Sequence, residues 1–122
     1  MFIYYICIGD LFRSSLCAHD EEATNISLLT IRLDYFEAIV RGYLSVMRDV
    51  LTKNEKEYIV YAGQFMIYMQ CVRFLTDFLL GDKYYKFSHN MHNFDRAKNQ
   101  MALLKSYVAH EKSMKEIVNA LV

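Results

Sequence analysis

The 122-residue sequence predicts an all-α fold: a bundle of three long helices with a short helix ahead of them. Three observations predict the helical class. Proline is absent and glycine occurs only four times, so little in the chain breaks a helix. Apolar side chains recur at spacings of three and four residues along most of the length. No repeat or linker-like stretch interrupts that pattern, and a chain of this size forms one domain, 1–122, around one core.

Residues 1–9 form an apolar N-terminal segment that reads as a buried strand or an adhesive end. The segment has neither the basic flank nor the small-residue cleavage site of a signal peptide. Asp10 is placed to cap a short helix over 10–17 that carries Leu11, Phe12 and Leu16. The acidic, polar residues 19–25 read as a loop, and Asn25-Ile26-Ser27 is a glycosylation sequon in form only.

The first long helix spans 31–51, where Leu33, Phe36, Val40, Tyr43, Leu44, Met47 and Leu51 share one stripe. Thr52 and Glu55 then fit a capping box, in which hydroxyl and carboxylate each satisfy a free backbone N–H, so a second long helix spans 53–80. It is apolar almost all round from 58 to 80, which predicts cover on several sides, and Gly81 is its stop. Gln64, Gln70, Arg73 and Asp77 interrupt it too often for a membrane span. Residues 82–92 read as a loop or short helix. The last long helix, 94–119, has Asn93 as its cap and turns Phe94, Ala97, Met101, Leu104 and Val108 inward.

Fourteen basic and fourteen acidic residues cancel, with no long run of either sign, so no field draws in nucleic acid or an anionic membrane; neither is expected as a partner. The hydrophobic fraction of 54% exceeds the roughly 45–50% usual for soluble domains, which leaves apolar surface for a partner. Cys7, Cys17 and Cys71 are odd in number and lack metal or redox spacing, the pattern of reduced thiols in a cytoplasmic protein.

Gln70, Arg73 and Asp77 occupy positions i, i+3 and i+7, so their polar side chains leave the apolar helix on one face. Such groups either bind the hydroxyls of a polar ligand or pair with each other and with loop backbone, because a charge buried without a partner is costly. Tyr84, Tyr85 and Phe87 are suited to stack on a sugar or base, or to plug the core. His89 and His92, three apart, are too few ligands for a closed metal site. There is no Gly-rich phosphate loop, no G-x-S-x-G, no H-E-x-x-H and no C-x-x-C pair, and nothing assembles a nucleophile with its base.

An ordered set of pieces remains: Gly9-Asp10-Leu11-Phe12-Arg13-Ser14; Phe36-Glu37-Ala38 with Gly42-Tyr43-Leu44; Val72-Arg73-Phe74-Leu75-Thr76-Asp77-Phe78-Leu79 with Gly81-Asp82-Lys83-Tyr84-Tyr85-Lys86; and His92-Asn93-Phe94-Asp95-Arg96-Ala97. In this order they resemble the C-terminal end of the aminoglycoside phosphotransferase-like small-molecule kinases, especially the N-acetylhexosamine 1-kinase-like branch, over residues 5–104. The resemblance implies a two-lobed kinase whose nucleotide lobe, catalytic-loop Asp and metal-binding Asp precede the matched segment, and these have no counterpart here. Cys7-Ile8 also stands where relatives commonly carry an aspartate-phenylalanine turn.

Carried over residue by residue, the resemblance makes Arg73 and Asp77 the pair facing an acceptor-sugar pocket, with Gln70 and Tyr84 as further candidates, and makes Asp10 an anchor toward the catalytic loop. Phosphoryl transfer depends on groups that position phosphates, metal and the attacking hydroxyl. The expectation is therefore a truncated or degenerate acceptor-side subdomain, inactive alone, without catalytic residues, metal or cofactor of its own, that binds sugar weakly and self-associates or joins a separately encoded kinase half. The alternative is a helical interaction module or regulator that binds a partner protein.

Overall fold

Six α-helices and one 3₁₀ turn (Ile26–Leu28) account for the regular structure of the described residues: α1 (Phe2–Ser15), α2 (Leu33–Met47), α3 (Lys53–Glu57), α4 (Ile59–Leu79), α5 (His92–Ala109) and α6 (Glu111–Leu121). This is a computed structural model that describes residues 2–122, except for the side chains of Phe2, Ile3 and Tyr5. The fold is all-α, as the sequence predicts, with no strand among the described residues.

Helix α4 is the axis of the bundle. It packs against α1 on one side and α5 on the other, while α6 crosses back onto α2. Phe12, Leu16, Phe36, Val40, Leu44, Ile67, Tyr107 and Met114 meet in one core. The α1–α4 approach is close enough that a Cβ on Gly9 would lie 2.4 Å from the Ala62 carbonyl oxygen, so glycine there permits backbone-to-backbone packing. Tyr107 uses the space beside Gly63 in the same way and donates its hydroxyl to the Val60 carbonyl at 2.7 Å. Burial, and then the charge of Glu111, hold the Tyr107 phenol protonated far above its ordinary range.

Several element boundaries differ from the sequence reading. The apolar segment 1–9 is not a strand: from Phe2 it belongs to α1, and Met1 lies outside the described residues. Asp10 therefore sits inside a helix rather than capping one, and it accepts from Arg13 Nε at 3.0 Å. The C-terminus of α1 is held by Arg32, which donates to the Ser15 and Leu16 carbonyls at 2.8 and 3.0 Å, a cation on the negative end of a helix. Helix 31–51 is regular only over α2, followed by a turn in which Leu51 N–H reaches the Met47 carbonyl.

The capping box at Thr52 and Glu55 is present, but the helix it starts ends after five residues. At Tyr58 (φ −97°, ψ 8°) the chain redirects before α4 begins. The expected 94–119 helix likewise breaks at His110, whose Nδ1 lies 2.7 Å from the Ser106 carbonyl. That break turns Met114 and Val118 of α6 into the core.

One facial assignment changes. On α5, Met101 and Val108 are exposed, and the buried positions are His92, Asn93, Ala97, Asn99, Gln100, Leu103 and Tyr107. The apolar pattern misleads there because Asn93 and Asn99 are buried with hydrogen-bond partners, among them the Asp20 and Ala23 carbonyls held by Asn99. On α4, two sides are covered and the third stands bare, with Tyr58, Tyr61, Tyr68 and Leu79 all exposed. No helix among the described residues is long and apolar enough to cross a membrane.

Candidate functional site

The site grows from the end of α4. Gly81 (φ 93°) and Asp82 (φ 59°) both adopt the left-handed conformation, and the N–H groups of Gly81 and Asp82 bond the Phe78 and Asp77 carbonyls at 3.2 and 2.8 Å. That pair of bonds is the Schellman stop expected of Gly81. It folds the chain back so that the next three N–H groups point at the Asp77 side chain.

Asp77 Oδ1 accepts from the N–H groups of Lys83 (3.0 Å) and Tyr84 (2.8 Å), and Oδ2 accepts from the N–H of Tyr85 (3.0 Å) and from Asn93 Nδ2 (3.0 Å). Four donors occupy the roughly four lone-pair positions of a carboxylate. Burial alone raises the Asp77 pKa, but the three backbone donors outweigh it and hold the acid below its ordinary 3.8. Asp77 is thus bonded to loop backbone rather than to Arg73, and its role is to shape the segment after α4.

Asn93, read from sequence as a helix cap, instead joins that carboxylate to the rest of the loop. Helix α5 starts from Met91 at φ 65° with no side-chain cap, while Asn93 donates to Asp77 and to Asp82 and accepts from Arg96 Nη1 at 2.8 Å. Arg96 continues to the Lys86 carbonyl (2.7 Å) and to Glu22 (2.9 Å). Glu22 also bonds His92 Nε2, and His92 Nδ1 accepts the N–H of Ser88 at 3.0 Å. Both imidazole nitrogens are engaged, and no group of three metal-ligating side chains gathers among the described residues. Burial raises the Glu22 pKa, and the bonds from His92 and Arg96 bring the net value below the ordinary 4.5.

The result is a rigidly held loop that makes one wall of an open groove of about 340 Å³, lined by Val72, Arg73, Thr76, Asp77, Leu80, Tyr84 and Tyr85. Of the four candidates, Arg73, Asp77 and Tyr84 come together there. Gln70 does not line it; its Nε2 donates to the Tyr85 hydroxyl at 3.2 Å and steadies that ring from behind. Tyr85 is half-buried on Phe74, with ring centroids 4.8 Å apart, and so acts as the plug. Tyr84 stands edge-on to it at 4.8 Å and projects into solvent, as does Phe87.

The Arg73 guanidinium lies 5.8 and 5.7 Å from the Tyr84 and Tyr85 ring centres and has no carboxylate within ion-pair distance among the described residues. The groove therefore offers five-donor guanidinium chemistry, a Thr76 hydroxyl and aromatic faces beside apolar Val72 and Leu80. That combination suits a neutral or anionic polyhydroxy ligand with one apolar face. Sequence reasoning missed the lining by Thr76 and Leu80 and the bracing by Asn93, Arg96 and Glu22. The spacing of Arg73, Thr76 and Leu80 (i, i+3, i+7) carried the first signal; nothing in the pattern signalled the second. No protein-family model matches the sequence.

Proposed function

We propose that the chain is the acceptor-side helical subdomain of a sugar or aminoglycoside phosphotransferase, with the groove at the end of α4 as its half of the acceptor pocket. The observation that carries this reading is Arg73: an exposed cation beside two tyrosine rings, at the position that the family resemblance assigns to the sugar. In this reading the guanidinium donates to sugar oxygens, Tyr84 covers the apolar face of the pyranose, and Asp77 acts through the loop it holds. The sequence supplies no phosphate loop and no metal-binding carboxylate pair, so the 122 residues do not transfer phosphate by themselves. The chain works in the cytoplasm, with its three cysteines reduced, and self-associates through its surplus apolar surface.

The test is saturation-transfer NMR with N-acetylhexosamines. A half-site buries little ligand, and an affinity of about 1 mM or weaker is expected. Transfer should be seen with the wild-type chain and lost with Arg73→Ala; transfer that survives the substitution unchanged refutes the reading.

A further inference from the structure

The bare side of α4 carries a seven-residue repeat. Tyr58, the residue immediately before α4, and then Tyr61, Phe65, Tyr68, Val72, Leu75 and Leu79 within it follow one another at alternating spacings of three and four residues. That is the a/d pattern by which two helices interlock side chains. Along the 21 residues of α4 the line runs about 30 Å. It is not the face used within the chain, which is marked by buried Ala62, Ile67, Cys71 and Phe74. Tyr58, Tyr61 and Tyr68 are 56, 53 and 52% exposed, and Leu79 72%. The two charged residues of the helix, Arg73 and Asp77, fall off the line.

We infer that this seam pairs with the same seam of a second copy in an antiparallel, two-fold dimer. The repeat selects a helix as occupant, since only a helix presents matching knobs and holes over three heptads. The distribution of side chains along it selects a second copy in antiparallel orientation. The N-terminal half is aromatic (Tyr58, Tyr61, Phe65) and the C-terminal half aliphatic (Val72, Leu75, Leu79), so a two-fold axis beside Tyr68 sets Tyr58 against Leu79 and Tyr61 against Leu75. Large then meets small on both sides of the axis, and at the axis Tyr68 meets its own copy. A parallel pair would crowd ring on ring at one end, underfill the other and align the helix dipoles.

The area is of the right order. The three half-exposed tyrosines offer roughly 300 Å² per copy. Val72, Leu75 and Leu79 extend the strip toward the roughly 800 Å² per partner of a standard interface, with half-buried Phe65 adding little. Bare apolar strips of this extent are uncommon on monomers. The inference rests on the proposed reading only for self-association, and the sugar groove is tested apart from it.

The test combines sedimentation with cross-linking of the 122-residue chain, in a Cys7→Ser background that removes the exposed thiol. The chain is expected to sediment as a dimer at micromolar concentration. Leu75→Glu, outside the sugar groove, should weaken the dimer by about 100-fold, because the two-fold buries two unpaired carboxylates. Unchanged circular dichroism certifies that variant, and Tyr68→Glu replaces it if it misfolds. Tyr68→Cys should cross-link to itself on mild oxidation. Tyr58→Cys should cross-link only when mixed with Leu79→Cys.

A monomeric wild-type chain overturns the inference, and so does a dimer indifferent to both glutamate variants. Tyr58→Cys joining itself as readily as Leu79→Cys overturns the antiparallel pairing. Cross-linking of Tyr68→Cys to a different protein in the source cells assigns the seam to a foreign helix and also overturns it. Sugar transfer at Arg73 that persists in Leu75→Glu separates failure of the seam from failure of the groove.

Discussion

Asp77 and Arg73 are four residues apart and line the same groove, yet their environments give them opposite roles. The Asp77 carboxylate has its acceptor positions filled by Lys83, Tyr84, Tyr85 and Asn93. Asp77→Asn places an amide N–H against those donors, and the variant is expected to melt at lower temperature with faster amide exchange over 82–86. A carboxylate with a lowered native pKa contributes stability that is present above its unfolded value and lost as pH falls through its folded one. Glu22 and Asp77, ordinarily at 4.5 and 3.8, are both lowered. Melting temperature should therefore hold steady above pH 4.5 and decline below it, and Asp77→Asn should flatten part of that decline. Arg73 is solvent-exposed and has no ion pair among the described residues, so Arg73→Ala should change stability by about 0.5 kcal/mol or less while abolishing sugar binding. The i, i+3, i+7 spacing made the polar face of α4 visible in the sequence. Which of its members reached solvent was decided by the loop fold-back after Gly81, a tertiary event that no spacing encodes.

The helices themselves were legible wherever apolar periodicity and local chemistry agreed. The Thr52 capping box and the Gly81 stop are both present, because each is closed by bonds within a few residues. Thr52→Ala should cost about 1 kcal/mol, read from chemical denaturation. The breaks at Tyr58 and His110 were not legible: neither residue is a helix breaker, and the chain bends there to bring α4 and α6 onto their neighbours. Residues 1–9 misled for the opposite reason, since Gly9 reads as a boundary but serves to let α1 lie against the Ala62 carbonyl. Gly63 plays a related part under Tyr107. A methyl at Gly63 would lie 2.3 Å from the Tyr107 hydroxyl oxygen, so Gly63→Ala should destabilise by about 1–3 kcal/mol, measured by thermal melting.

For the molecule as a whole, helical class and a surplus of apolar surface could be read from composition, whereas the location of that surplus could not. An apolar helix suggested cover on several sides, and α4 has two covered sides, one exposed seam and, at its end, a groove held by buried polar bonds. The proposed function joins these parts: α4 presents sugar-binding groups at its end, and the chemistry of transfer lies in groups the 122 residues do not hold. Incubation with labelled ATP, magnesium and N-acetylhexosamines should accordingly give no turnover above background. The groove as an acceptor half-site is tested most directly by following backbone and arginine side-chain resonances in a ¹H–¹⁵N spectrum as N-acetylhexosamine is added. Shifts that saturate together at Arg73 Nε, Thr76, Tyr84 and Tyr85 and vanish in Arg73→Ala are predicted; absence of shifts at saturating sugar, or shifts centred elsewhere on the bundle, would contradict it.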